Sequence, residues 1–140
     1  MGKLYVQNST IESHLTLVVV LAEQLEDRWA QACASAYLAL WDANRGQLAQ
    51  ARTRIAVAAK LASEKKDDWL LSLAGWAKAW IALGSGEYHD ALATLQPLRH
   101  LSFDPQQHQM IDIYLGLTHY ALGHGREAAA MTQCGRISVQ

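Results

Sequence analysis

Apolar residues recur along this chain at spacings of three and four, the period of a helix with one buried face. The clearest stretches are Ala30, Cys33, Ala34, Tyr37, Leu38 and Trp41, then Leu48, Ala51, Ile55, Ala58 and Ala62, then Leu70, Leu73, Ala77, Trp80 and Ile81. Short polar or glycine-bearing breaks separate them: Asn44-Arg45-Gly46, Glu64 to Asp68, Gly84-Ser85-Gly86 and Gly123-His124-Gly125. Asn and Gly tolerate the left-handed conformation that ends a helix. The pattern predicts seven helices, over about 11–26, 27–44, 47–65, 68–83, 87–101, 105–122 and 126–134. Asn8-Ser9-Thr10 is the expected cap of the first, and Asp67 or Asp68 that of the fourth. Pro97 should end or kink the fifth early, because proline has no N–H for the helix ladder. Pro105 fits the first turn of the sixth. No strand-like alternation is present.

The helices repeat. Asp27-Arg28-Trp29 returns as Asp67-Asp68-Trp69, and Gly46-Gln47-Leu48-Ala49-Gln50-Ala51 returns as Gly86-Glu87-Tyr88-His89-Asp90-Ala91, each forty positions on. A shorter echo follows at Gly123-His124-Gly125-Arg126-Glu127-Ala128. A repeat of this length is one helix-turn-helix unit that buries its apolar face only by stacking on copies of itself. One domain is expected over 11–134, with repeats at about 28–66, 67–103 and 104–134, and flexible ends at 1–10 and 135–140. The segment Leu15 to Gln24 matches the second helix of a unit. The array should therefore start mid-unit and leave an apolar flank that a neighbouring domain, a partner or a second copy would cover.

Composition narrows this further. The chain has 140 residues, 51% hydrophobic and 18% charged, with only 2 prolines, which fits a packed helical domain rather than a disordered one. A formal net charge of −1 gives no electrostatic case for nucleic acid. The three arginines between Arg45 and Arg54 read as a solvated helix face. Leu15 to Ala22 is too short to span a bilayer, which takes about 20 apolar residues. Glu12 before it and Glu23 after it do not suit a secretory signal, so a cytoplasmic location is expected. Cys33 and Cys134 read as unpaired thiols of a reducing compartment, although sequence alone leaves a disulfide open.

The units resemble tetratricopeptide repeats. The last carries the likeness best, in Leu115-Gly116-Leu117-Thr118-His119-Tyr120-Ala121-Leu122-Gly123 and on to Ala128, where Gly116 and Ala128 take the small positions at which the two helices of a repeat touch. Trp76-Ala77, Trp80, Gly84 and Tyr88 to Ala91 match with a two-residue insertion. The long period, with Leu21 to Trp29, is similar to the arrays of large bacterial signalling ATPases and transcriptional regulators. The resemblance implies an all-α superhelix of about seven antiparallel helices, three repeats plus a leading helix. It also implies a concave groove lined by the first helix of each repeat. Carried over by register, that groove holds Gln31, Ala34, Leu38 and Trp41, then Leu71, Ala74, Lys78 and Ile81, then Met110, Ile113, Leu117 and Tyr120.

Such a groove is mostly apolar and suits an amphipathic helix or extended apolar peptide, with Trp41, Met110 and Tyr120 as anchors. Part of the same row also reads as core between repeats, since apolar stripes at helical spacing ordinarily are core. The lysine, asparagine and arginine of the family's carboxylate clamp are absent, so an acidic chaperone tail is not the expected partner. Catalysis is not expected. His119 and Asp112 stand seven apart as a solvated pair, and Gly84-Ser85-Gly86-Glu87 lacks the lysine of a phosphate loop. No His or Cys spacing suits a metal, and no cofactor is expected. The reading is a non-catalytic protein-binding scaffold, self-association as a homodimer included, without direct contact to nucleic acid or membrane. The alternatives are an effector-sensing domain of a signalling ATPase, with a small ligand among Trp76, Trp80 and Tyr120, and a tetratricopeptide-type secretion chaperone.

Overall fold

The computed structural model describes the backbone of residues 2–101 and 104–127, and the side chains among them from Thr10 onward. Within these residues the chain is helical throughout: α1 (Gly2–Gln24), α2 (Arg28–Asn44), α3 (Leu48–Lys65), α4 (Asp68–Gly84), α5 (Tyr88–Leu95), a 3₁₀ helix (Gln96–His100) and α6 (Pro105–Ala121). Residues 125–127 are again helical. The rest of the expected seventh helix, with Ala128, Cys134 and the tail at 135–140, lies outside the described residues, as do Ser102 and Phe103.

Local chemistry sets these boundaries. Asp27 and Asp67 cap α2 and α4 by accepting from the N–H of Ala30 and Leu70, and Asp104 caps α6 by accepting from Gln106 and Gln107. Left-handed residues close the helices at a strict cadence of twenty: Glu26, Gly46, Lys66 and Gly86 all have positive φ, followed by Gly123. Four of these turns share one closing bond, from Asp27 N–H to Ala22 O, Gln47 to Asp42, Glu87 to Ala82 and His124 to His119, at 2.7–2.8 Å. The forty-residue echo is thus two helices of twenty. Pro97 acts as expected, since α5 stops at Leu95 and the chain continues as a 3₁₀ turn with proline at its start. The first helix differs from expectation. It begins at Gly2, so residues 2–10 form its first turns, and Asn8-Ser9-Thr10 lie inside the helix instead of capping it.

Each helix packs on the next through a short turn, and in addition α2 packs on α4 and α4 on α6. The odd-numbered helices α1, α3 and α5 do not approach one another. The even-numbered helices therefore make one continuous layer, and among the α-helices each odd one packs only on its even neighbours. Two apolar clusters hold this arrangement. One gathers α2, α3 and α4 around Ala32, Ala36, Ala39, Ala51, Ile55, Ala58, Leu61, Ala62, Leu70 and Leu73. The other gathers α4, α5, the 3₁₀ helix and α6 around Ala79, Ala91, Leu95, Leu98, Ile111 and Leu115, and Trp76 packs against both. The many alanines let the helices approach closely. At Gly75 an added Cβ would sit 2.5 Å from Leu98 Cδ1, so Leu98 of the 3₁₀ helix packs directly on the α4 backbone there.

Ion pairs tie the units together. The Asp42 carboxylate is fully buried and meets Arg54 Nε at 2.7 Å and Arg45 at 3.2 Å, while Arg45 reaches back to Glu12 on α1 at 3.1 Å. Arg52 crosses to Glu87 at 2.9 Å. The three arginines read as a solvated face are therefore interhelical ties. Asp112, also buried, pairs with Arg99 at 2.9 Å and lies 3.6 Å from His108, so it is neither solvated nor coupled to His119.

Candidate functional site

Tryptophan and tyrosine collect on the even-numbered layer because α2 and α4 place them on the faces turned toward their even neighbours. Trp29 on α2 stacks on Trp69 on α4 with centroids 5.6 Å apart and planes 22° from parallel. Trp76 and Trp80 of α4 meet Tyr114 of α6 at 5.7 and 5.6 Å, tilted and edge-on. Trp80 donates from Nε1 to Asn44 Oδ1 on α2 at 3.3 Å, so one side chain touches all three even helices. These rings bridge the layer, yet Trp29, Tyr37 and Trp80 remain 46%, 44% and 37% exposed.

A cavity of about 230 Å³ opens among them, walled by Tyr37, Trp69, Trp76 and Met110 and bordered by Ser72 and Gln107. Ser72 Oγ, Trp76 Nε1 and Gln107 Oε1 are buried and have no hydrogen-bond partner among the described residues. All three atoms are sealed within the helix packing rather than open to the cavity, and an unpaired buried polar group costs about 1–3 kcal/mol. Asp104 stands beside them, its Oδ1 already taken by two backbone N–H groups of α6. On the other side of α4, a groove of about 730 Å³ runs between α3 and α5, whose backbones stand apart. Ile81 and Lys78 lie on its floor, and the Arg52–Glu87 pair bridges its walls.

The positions carried over by register divide. Leu38 and Ile81 are core residues, 0% and 3% exposed, as are Ala34 and Ala74. Gln31 is half-buried and donates to Ala22 O, closing the end of α1. Trp41 is half-buried under the Arg45 guanidinium, 5.9 Å from its ring centroid, and Leu71 packs on the first cluster. Lys78 is exposed, on the α3–α5 side. Met110, Ile113, Leu117 and Tyr120 form an exposed stripe on α6, of which only Met110 reaches the cavity. Tyr120, 77% exposed, does not join Trp76 and Trp80, and Tyr114 takes that place.

Counting from the caps explains the division. Met110, Ile113, Leu117 and Tyr120 lie at the sixth, ninth, thirteenth and sixteenth positions after Asp104. The same steps from Asp67 give Leu73, Trp76, Trp80 and Leu83, two residues beyond the positions carried over. Two residues are 200° around a helix, which moves a side chain to the opposite face. The capping aspartates Asp27, Asp67 and Asp104 are the signal that sets equivalent positions of the three even helices in one frame. The unpaired atoms of Ser72 and Gln107 left no trace in the sequence.

His119 and His124, separated by the turn at Gly123, meet with Nδ1 atoms 3.2 Å apart. Among the described residues no group of three or more His, Cys, Asp or Glu could hold a metal, and no helix is long and apolar enough to cross a membrane. Cys33 is half-buried, and burial, with Asp67 and Asp27 nearby, raises its thiol pKa to about 11. No family model, no curated protein and no solved structure matches the chain.

Proposed function

We propose that this chain is a non-catalytic recognition domain built as a tetratricopeptide-like superhelix, and that it holds an apolar peptide or helix on the face of α2, α4 and α6. The observation that carries the reading is the set of partly exposed aromatic rings on that face, Trp29, Tyr37 and Trp80, of which Trp29 and Trp80 are held by ring contacts between helices. Rigid aromatic anchors give contact area at little cost in side-chain entropy, which is why they dominate binding surfaces. The superhelix is supported by the twenty-residue cadence of left-handed turns and by the layering of alternate helices.

The test is selection from a peptide library, followed by titration of the selected peptides against variants. Tyr37→Ala and Trp80→Ala should each weaken binding by about tenfold or more, the size of an anchor contribution. Lys78→Ala, on the opposite side of α4, should change it little. Peptides that depend on Lys78 and ignore Tyr37 and Trp80 would place recognition in the α3–α5 groove and refute the proposal. The effector-sensing reading is favoured by a separate observation, the small cavity walled by Tyr37, Trp69 and Trp76.

A further inference from the structure

We infer that α1 carries the interface of a reversible homodimer of this chain, formed by none of the aromatic residues of the binding face. The internal repeat supplies the first observation. α1 and α3 end in the same left-handed turn, at Glu26 and Lys66, and these donate their N–H groups three residues back, to Glu23 O and Ser63 O. Residues of α1 therefore correspond to those of α3 forty positions on. Ala51, Ile55, Ala58, Leu61 and Ala62 are the buried face of α3, and their counterparts Ile11, Leu15, Val18, Leu21 and Ala22 are apolar at every position. Ala51, Ala58 and Leu61 are at most 7% exposed, whereas Ile11, Val18 and Leu21 are 43–46% exposed. The difference is a missing neighbour: α3 packs on both α2 and α4, while α1 packs on α2 alone. The end of a repeat stack stays in water by carrying a polar outer face, and α1 carries an apolar one.

The open side has the pattern of a two-helix seam. Ile11, Val18 and Leu25 stand seven apart, with His14 and Leu21 three residues after the first two, which are the a and d positions of a heptad. All five are exposed. β-branched residues at a with leucine at d favour pairing of two strands, so the seam suits a copy of itself. The flanking e and g positions are Leu15, Leu17, Ala22 and Gln24, so two copies meet there without like-charge repulsion. The acidic Glu12, Glu23 and Glu26 lie off the seam, and α1 has no basic face of the kind that holds a helix on an anionic membrane. Ile11, Leu17, Val18, Leu21 and Leu25 together expose on the order of 500 Å² per copy, so pairing removes about 1,000 Å² from water, the lower bound of a specific interface. Interfaces of that size are weak, so the dimer forms as concentration rises and dissociates on dilution.

Sedimentation equilibrium of the full chain, across an about hundredfold range of concentration, tests this. The mass should rise from monomer to dimer and stop there, because one self-complementary face closes a two-fold pair. Val18→Glu should raise the dissociation constant at least about a hundredfold, since it sets like charges against each other in the middle of the seam. Val20→Glu, as exposed as Val18 but about 200° further round the helix, should leave the constant unchanged. His14→Leu fills the one polar position of the seam and should tighten the dimer about tenfold, a gain that no loss of folding could imitate. A monomer at every concentration, growth beyond the dimer, equal weakening by Val18→Glu and Val20→Glu, or a dimer indifferent to His14→Leu would overturn the interface. So would a dimer that survives Val18→Glu and is lost in Leu117→Glu, which alters the exposed stripe of α6 instead.

Discussion

Asp42 holds a carboxylate with no solvent exposure at the junction of three helices, and its two arginines differ in what they supply. Arg54 gives the short contact from α3, while Arg45 is shared with Glu12. Removing Arg54 leaves a buried charge half-compensated, so Arg54→Ala should cost about 3 kcal/mol, the lower end for a broken buried pair. The Arg28–Glu64 pair has a similar length, but both side chains are about half exposed. Arg28→Ala should therefore cost less than about 1 kcal/mol. Urea unfolding of both variants checks the contrast, and equal losses would mean that Asp42 is better hydrated than its burial implies. Cys33 gives a second prediction at this scale. Its thiol pKa of about 11, against an ordinary 9.0, means the folded protein keeps a proton that the unfolded chain releases. The folded state therefore loses stability as pH rises from about 9 toward 11. At pH 8, iodoacetamide should alkylate folded Cys33 at least about tenfold more slowly than the urea-unfolded thiol, since only the thiolate reacts. Asp67→Asn should speed the folded reaction by removing one of the nearby charges.

Among the elements, the turns between units differ from the turns within them. Gly46 and Gly86 take the left-handed conformation without strain, while Glu26 and Lys66 take it with side chains, at φ 55° and 53°. A left-handed residue with a Cβ is strained by about 1–2 kcal/mol, and glycine in the unfolded chain gives back part of that. Lys66→Gly should raise stability by about 0.5–1 kcal/mol, read as an increased urea midpoint. A decrease would show that the Lys66 side chain contributes contacts outweighing its backbone strain. Elements of this kind are legible in a sequence because capping and turn chemistry act within a few residues. Asp67, Asp104, Gly46, Gly86 and Pro97 each mark a boundary that the fold keeps. Faces are not legible in the same way. A two-residue shift in frame, invisible to any apolar count, exchanges Trp76 and Trp80 for Lys78 and Ile81, which lie on the opposite side of α4. Asp42 was equally hidden, because its burial depends on Arg54, twelve residues away on the next helix.

For the molecule as a whole, stability should be graded along the stack, because each helix meets only its near neighbours. α4 belongs to both apolar clusters and packs on every other described α-helix except α1. α1 is its opposite. Leu17, Val18, Val20 and Leu21 are all more than 40% exposed, and among its described side chains only Ala22 is buried. A helix that buries so little opens at low free energy, whereas one shared by two clusters opens only when both do. In dilute solution, amides of α1 should exchange with deuterium at least about a hundredfold faster than those in the middle of α4. The contrast should persist in Arg45→Ala, which removes the Glu12 tie, with α1 faster still. Raising the protein concentration separates two causes should α1 prove slow. Protection that grows with concentration, together with a rising mass by light scattering, would mean that the apolar side of α1 is covered by a second copy. Protection independent of concentration would mean that α1 draws stability from within the chain, and the graded description of the stack would then fail at its first helix.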